Sequence, residues 1–209
     1  MEGRRCVIIG ASPVLDIEML KREVLPGDYV VCADGGYTYA HGAGIKADLI
    51  IGDFDSSVYP VKPDSEIIKL PVTKDDTDMH YCIKECIKRG YKNFVLYGGT
   101  GGRPDHTFAN LSSLLYIADK GCTGFLEDND YRCLILKKGK MTIISEKGKG
   151  FSIFPFGCDD CRVTLKGFLY ELESGILSSD FPLGVSNTIN SDRAVVTVYR
   201  GTALIYIQK

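Results

Sequence analysis

The sequence predicts an α/β half followed by an all-β half. Three observations carry that prediction. Short β-branched runs alternate with helix-period segments over roughly the first 130 residues. Only strand-like runs follow them. The 209 residues, 44% hydrophobic and 25% charged, suffice to bury a core in either half without staples.

In order, the N-terminal strands are expected at Cys6–Ile9, Tyr29–Cys32, Leu49–Ile51, Glu66–Leu70, Phe94–Tyr97 and Gly124–Leu126. Between them, Met79, Cys82, Ile83, Cys86 and Ile87 form an apolar stripe at i, i+3, i+4, i+7 and i+8, with Gly90 as a stop. Phe108, Leu111, Leu114, Leu115 and Ala118 repeat the scheme before Gly121. That helix is expected to begin near Asp105 or His106. Strands alternating with helices imply βαβ units, hence a Rossmann-like parallel sheet in a first domain, 1–129. The runs Tyr131–Leu136, Met141–Ile144, Phe151–Phe154, Arg162–Leu165, Ala194–Tyr199 and Ala203–Ile207 are separated by turn residues. They predict an antiparallel β-sandwich over 130–209.

Composition removes several function classes. With 25 basic and 27 acidic residues the net charge is −2, which offers no general attraction to nucleic acid or anionic lipid. The apolar run Cys6–Ile9 is too short for a signal-peptide core, and no apolar stretch approaches the roughly 20 residues of a membrane span. A cytoplasmic protein is expected, so the eight cysteines do not read as a disulfide framework. Cys158 and Cys161 have zinc-knuckle spacing but lack a matching second pair.

The chemistry is expected at the strand ends. Ala33-Asp34-Gly35-Gly36 follows one strand and Gly52-Asp53-Phe54-Asp55-Ser56 the next. Lys74-Asp75-Asp76-Thr77-Asp78 and Gly98-Gly99-Thr100-Gly101-Gly102-Arg103-Pro104-Asp105-His106 follow two more. In an open parallel sheet the carboxyl ends face one crevice, where ligands bind. Two unpaired carboxylates about 4 Å apart repel by roughly 4 kcal/mol at an effective dielectric near 20, so a cation belongs among them. All-oxygen donors suit Mg²⁺ or Ca²⁺. Any single Asp here would serve as well as a turn former, and Asp76 or Thr77 as a helix N-cap; four such clusters at four strand ends exceed that explanation. Glycines 98–102 can turn backbone N–H groups toward an anion, the next helix aims its positive end at the same place, and Arg103 supplies a fork for phosphate oxygens. The run lacks the Lys-Ser/Thr of a P-loop and the spacing of a dinucleotide fingerprint. Ile9-Gly10-Ala11-Ser12 after the first strand is a weak phosphate-loop signal that a plain tight turn explains better. No serine sits in a nucleophile-elbow context, and no cysteine has a His partner in sequence.

These motifs, in order and spacing, resemble bacterial thiamine pyrophosphokinases. Thr164-Leu165-Lys166-Gly167-Phe168-Leu169-Tyr170-Glu171-Leu172 and Gly184-Val185-Ser186-Asn187 resemble that family's C-terminal signatures. The resemblance implies transfer of a pyrophosphoryl group from ATP to the hydroxyl of thiamine, giving thiamine diphosphate and AMP. It implies Mg²⁺ held by Asp53, Asp55 and Asp78, and ATP bound by Asp34, Lys74, Gly99, Thr100, Gly101, Gly102, Arg103 and His106. Thiamine would meet Asp34, Ser186 and Asn187, with Asp75, Asp105 and Arg103 acting in catalysis and either Asp75 or Asp105 as the base. It also implies a homodimer with active sites at the subunit interface. The aromatic that packs on thiamine is open among Tyr37, Phe54 and Phe181. Two rivals stand beside this reading: a hydroxymethyl-dihydropterin pyrophosphokinase on the same scaffold, and a non-catalytic Mg–nucleotide sensor.

Overall fold

The structure is a computed structural model that describes residues 3–53, 65–71 and 75–209. The predicted Phe54, Asp55 and Lys74 lie outside the described residues. The chain divides into two compact units, Met1–Asn129 and Asp130–Lys209, and its mixed α/β architecture is built as follows.

The first unit runs β1 (Arg5–Ile9), α1 (Ile17–Glu23), β2 (Tyr29–Ala33), α2 (Gly36–Gly42), β3 (Leu49–Gly52) and β4 (Glu66–Lys69). It continues with α3 (Asp78–Lys88), β5 (Asn93–Tyr97), α4 (Pro104–Asp119) and β6 (Thr123–Glu127). All the strand pairs are parallel, in the order β6-β5-β1-β2-β3-β4. The chain therefore builds outward from β1 on one side, then returns to add β5 and β6 on the other. The switch point lies between β1 and β5.

Alternation along each strand gives the sheet two apolar faces. Val7 and Ile9 of β1, with Val30, Cys32, Ile50 and Tyr97, pack against Met19 and Leu20 of α1 and Tyr37 and Ala40 of α2. Cys6, on the other face of β1, meets Cys86 of α3, whose stripe Met79, Cys82, Ile83 and Cys86 is buried as its spacing predicts. Thr77 caps α3 by accepting the His80 N–H at 3.2 Å. Gly90 and Gly121 take positive φ just past α3 and α4, which closes both helices. Helix α4 starts at Pro104, slightly before the expected Asp105 or His106, because proline suits the first helical position.

One ion pair ties the lower end of this sheet together. Arg5 at the start of β1 donates from Nε and Nη2 to the Asp28 carboxylate at 2.9 and 2.6 Å, and the Leu25 N–H adds a bond of 2.7 Å. Burial pushes the Asp28 carboxyl up, but Arg5 and the Leu25 amide outweigh it and hold it below the usual carboxylate range. We expect Asp28→Asn to cost about 2 kcal/mol at pH 7. A group depressed in the folded state stabilises above its unfolded pKa, about 3.9, and that contribution fades as pH falls through the folded value. Urea titrations of both proteins from pH 7 down to pH 3 should show the gap closing on the acid side.

The second unit contains β7 (Tyr131–Ile144), β8 (Gly150–Pro155), β9 (Asp160–Lys166), β10 (Leu172–Ser178), β11 (Asn187–Thr188) and β12 (Arg193–Gln208). Every pairing is antiparallel. The 16-residue β12 runs beside β7 throughout, pairs β9 over Val195–Arg200, and pairs β8 over Ala203–Ile207. The change of partner falls at Gly201, whose φ is +79° and where a Cβ would lie 2.4 Å from the Asp160 carbonyl. Phe151, Ile153, Val163, Leu165, Phe168, Val196, Val198 and Ile205 fill the core.

Candidate active site

A cavity of about 380 Å³ opens at the switch point of the first unit. Its walls come from the loops after β1 (Gly10–Pro13), β2 (Ala33, Asp34) and β5 (Gly98–Arg103), and from the starts of α3 and α4. These are the carboxyl ends of the parallel strands, where the open α/β sheet leaves a crevice.

Three backbone devices place the acidic groups at these strand ends; Asp34 and Asp78 line the cavity, and Asp53 does not. Asp34 sits at φ +44°, with its N–H donating to the Ile51 carbonyl at 2.7 Å. This left-handed turn aims the chain away from the sheet into α2. Gly52 must lack a side chain for it, because a Cβ there would stand 2.8 Å from the Asp34 Cα. Asp53 follows directly, half-buried, on the neighbouring strand end. Asp78 is the first residue of α3, where the Thr77 cap presents its carboxylate at the positive helix end and on the cavity wall.

The opposite wall is the glycine loop. Gly98, Gly101 and Gly102 all take positive φ, and a Cβ on Gly98 would stand 2.4 Å from the Gly10 carbonyl. The loops after β1 and β5 thus touch backbone to backbone, held also by the Gly10 N–H on the Tyr97 carbonyl at 2.8 Å. Arg103, exposed at the N-cap of α4, pairs with Asp105 through Nη2–Oδ2 at 2.5 Å and Nε–Oδ1 at 3.1 Å. Arg103 holds the Asp105 carboxyl below the usual range.

Of the residues that the sequence singles out, Asp34, Asp78, Gly99, Thr100, Gly101, Gly102, Arg103 and His106 line this cavity. Asp105 points to Arg103 instead, and Asp75 is exposed. Gly10, Ala11 and Ser12, a weak phosphate-loop signal in the sequence, line it too, as do Thr77, Met79 and Asn110, which the sequence does not mark as site residues. The one available signal was Gly10 directly after β1, which sits at the switch point only once the strand order is known. Tyr37 is buried and lines a separate cavity with His41 and Ser65 rather than this one.

Ser186 and Asn187 belong to the second unit. Ser186 has φ +59° and donates its N–H to Ser152 Oγ at 3.2 Å. The buried Asn187 brackets Tyr170: its Oδ1 accepts the Tyr170 N–H at 3.0 Å and its Nδ2 donates to the Tyr170 carbonyl at 2.8 Å. Its amide therefore holds the Phe168–Tyr170 segment beside β11.

Among the described residues no group of three or more His, Cys, Asp or Glu side chains gathers as a metal site, and the eight cysteines are unbridged. The carboxylates present nevertheless suit Mg²⁺, which usually takes one or two protein carboxylates together with substrate phosphate oxygens. Among the described residues no helix is long and apolar enough to cross a membrane.

Carboxylates facing a glycine loop and an arginine, at the switch point of a parallel sheet, define an α/β enzyme of polyphosphate chemistry. Residues 21–126 match the family model of the thiamin pyrophosphokinase catalytic domain, and residues 140–202 that of the thiamin pyrophosphokinase vitamin B1 binding domain. The chain belongs to the thiamin pyrophosphokinase family. Its sequence is 26% identical over 155 residues to thiamin pyrophosphokinase 1 of Caenorhabditis elegans, covering 69% of this chain and 63%, less than two thirds, of that protein. It is 24% identical over 180 residues to thiamine pyrophosphokinase of Bacillus subtilis, covering 82% and 83% of the two chains. The crystal structure of a thiamine pyrophosphokinase from Bacillus subtilis superposes with a TM-score of 0.89 at 22% identity over 99% of each chain. One from Geobacillus thermodenitrificans gives 0.85 at 25% identity over 98% and 97%.

Proposed function

We propose that the protein transfers the pyrophosphoryl group of ATP to the hydroxyl of thiamine, releasing AMP. The observation that carries this reading is the convergence of Asp34 and Asp78 with the Gly98–Arg103 loop on one cavity. The matches to both the catalytic and the vitamin B1 binding family models support thiamine as the acceptor.

The thiamine oxygen attacks the β-phosphorus while the bond from that phosphorus to the α,β-bridging oxygen breaks, and AMP leaves with that oxygen. Bound Mg²⁺ supplies charge neutralisation on the phosphate oxygens. Asp53, Asp55 and Asp78 are the residues that would hold it. Arg103 exchanges its present partner, Asp105, for phosphate oxygens and stabilises the charge that grows on the leaving AMP. Lys74, Gly99, Thr100, Gly101, Gly102 and His106 complete the ATP site. A carboxylate takes the hydroxyl proton late in the transfer. Asp75, or Asp105 once Arg103 has turned to phosphate, is the carboxylate for that step. Asp34, Ser186 and Asn187 contact thiamine, and the Asn187 amide also fixes Tyr170.

The finer fold reading, a Rossmann-like unit followed by a β-sandwich, is supported by the parallel order of β1–β6 and by the change of partners along β12. The reading includes a cytoplasmic homodimer. Exposed Leu169, Tyr170, Phe181 and Leu183 support a partner surface, and unbridged cysteines suit a reducing compartment.

Incubation with ATP, Mg²⁺ and thiamine is expected to yield AMP and thiamine diphosphate in equal amounts. A hydroxymethyl-dihydropterin acceptor should release no AMP. AMP release with the pterin alone, or no ATP consumption with either alcohol, would overturn the reading.

A further inference from the structure

The glycine loop is pinned from behind by three side chains that do not belong to it. The Asn110 Nδ2, on a buried side chain in α4, donates to the Gly99 carbonyl at 2.8 Å. The buried Ser12 hydroxyl donates to the next carbonyl, that of Thr100, while its oxygen accepts the Val14 N–H at 3.3 Å. Asp128, just past β6, accepts the Thr100 hydroxyl. Two consecutive peptide carbonyls of the loop are therefore committed to protein donors.

A trans peptide points its N–H opposite to its C=O, and no cis peptide occurs among the described residues. Asn110 accordingly sets the direction of the Thr100 N–H, and Ser12 that of the Gly101 N–H. Neither N–H donates to any described residue. Both belong to a loop that lines the cavity, and unused amides in such a loop are anion donors. Thr100 is buried, so its amide is costly without a partner and is complete only with an acceptor bound, while the exposed Gly101 amide is open to an incoming anion.

We propose that Ser12 and Asn110 are positioning residues for the polyphosphate: by holding carbonyls 99 and 100, they aim the Thr100 and Gly101 amides at phosphate oxygens. Asp128 steadies the same peptide units through the Thr100 side chain. This inference rests on the ATP reading given above. It assigns work to Ser12, which the sequence presents in a tight turn with only a weak phosphate-loop signal, and to Asn110, which sits inside a helix.

The test is calorimetric titration with Mg·ATP of the wild type, Ser12→Ala, Ser12→Thr and Asn110→Asp, together with steady-state kinetics. Asn110→Asp keeps the shape of the side chain and removes the donor, which covers the case in which Ser12→Ala does not fold. Ser12→Ala and Asn110→Asp are each expected to weaken Mg·ATP binding about tenfold and to raise KM for ATP to match, with KM for thiamine within about twofold of wild type. Ser12→Thr, which retains the hydroxyl, should recover most of the affinity. Mg·ATP affinity within about twofold of wild type in the folded variants, or equal losses for ATP and thiamine, overturns the positioning role. Absence of Mg·ATP binding by the wild type itself counts instead against the ATP reading.

Discussion

Asp78→Asn is expected to reduce turnover by at least about 10³-fold while leaving the melting temperature nearly unchanged, and Asp53→Asn to behave alike. Both substitutions keep the volume and remove one negative charge. At position 78 the charge lies on the cavity wall at the first residue of α3. Its loss from the helix end costs only about 0.3–1 kcal/mol of stability, because the Thr77 cap remains. The same charge matters far more to a transfer in which metal and phosphate must be held in register. Removing a charge-stabilising group from a transition state typically costs about 3–4 kcal/mol, and more where a metal is displaced with it. Rates measured at saturating Mg²⁺, beside thermal melts, separate the two effects. Near-normal turnover in both variants would remove the metal assignment.

How far the sequence discloses this arrangement depends on the range of the interactions involved. The stripe on α3 is legible because helical period is local, and Thr77 caps it for the same local reason. The seven-residue α1 and α2 leave too short a period to read, and α2 begins and ends in glycine. In the second unit, Gly139 and Gly201 read as turns, yet each lies within one continuous strand, β7 or β12, that bends there. β10 escapes notice because Glu173, Ser174 and Gly175 interrupt its apolar pattern. The site divides along the same line. Asp34, Asp78 and the glycine loop are visible as clusters at strand ends, a pattern written within a few residues. The Asn110 bond to Gly99 and the Ser12 bond to Thr100 join residues 11 and 88 positions apart. No spacing rule reaches them. Asn187 adds a contact that its place beside Ser186 does not disclose: its amide also brackets a residue 17 positions away.

The largest expected effect on stability is that of Gly36→Ala, and its neighbour Gly42 supplies the control. Both glycines lie in α2, at its first and last positions, and in both the ideal Cβ would meet another atom. At Gly36 that atom is the Ile9 carbonyl oxygen, 1.9 Å away, with the Ile9 carbon at 2.7 Å. Both belong to β1, the middle strand of its sheet, so the clash cannot be relieved by a side-chain rotation. At Gly42 the nearest atom is the Ile17 Cδ1 at 3.1 Å, the end of a flexible side chain. Replacing Gly42 with alanine should therefore be neutral or stabilising by up to about 1 kcal/mol, the usual helical preference for alanine. Replacing Gly36 must move α2 or β1 and should cost about 3 kcal/mol, a fall of roughly 6–12 °C in Tm for a chain of this size. The displacement carries a second consequence, because Ile9 leads directly into Gly10 and Ser12 on the cavity wall. Activity of Gly36→Ala measured well below its own Tm should thus stay reduced, chiefly through a raised KM for ATP. Matched Tm values for the two variants would show that β1 and α2 approach less closely than the geometry requires.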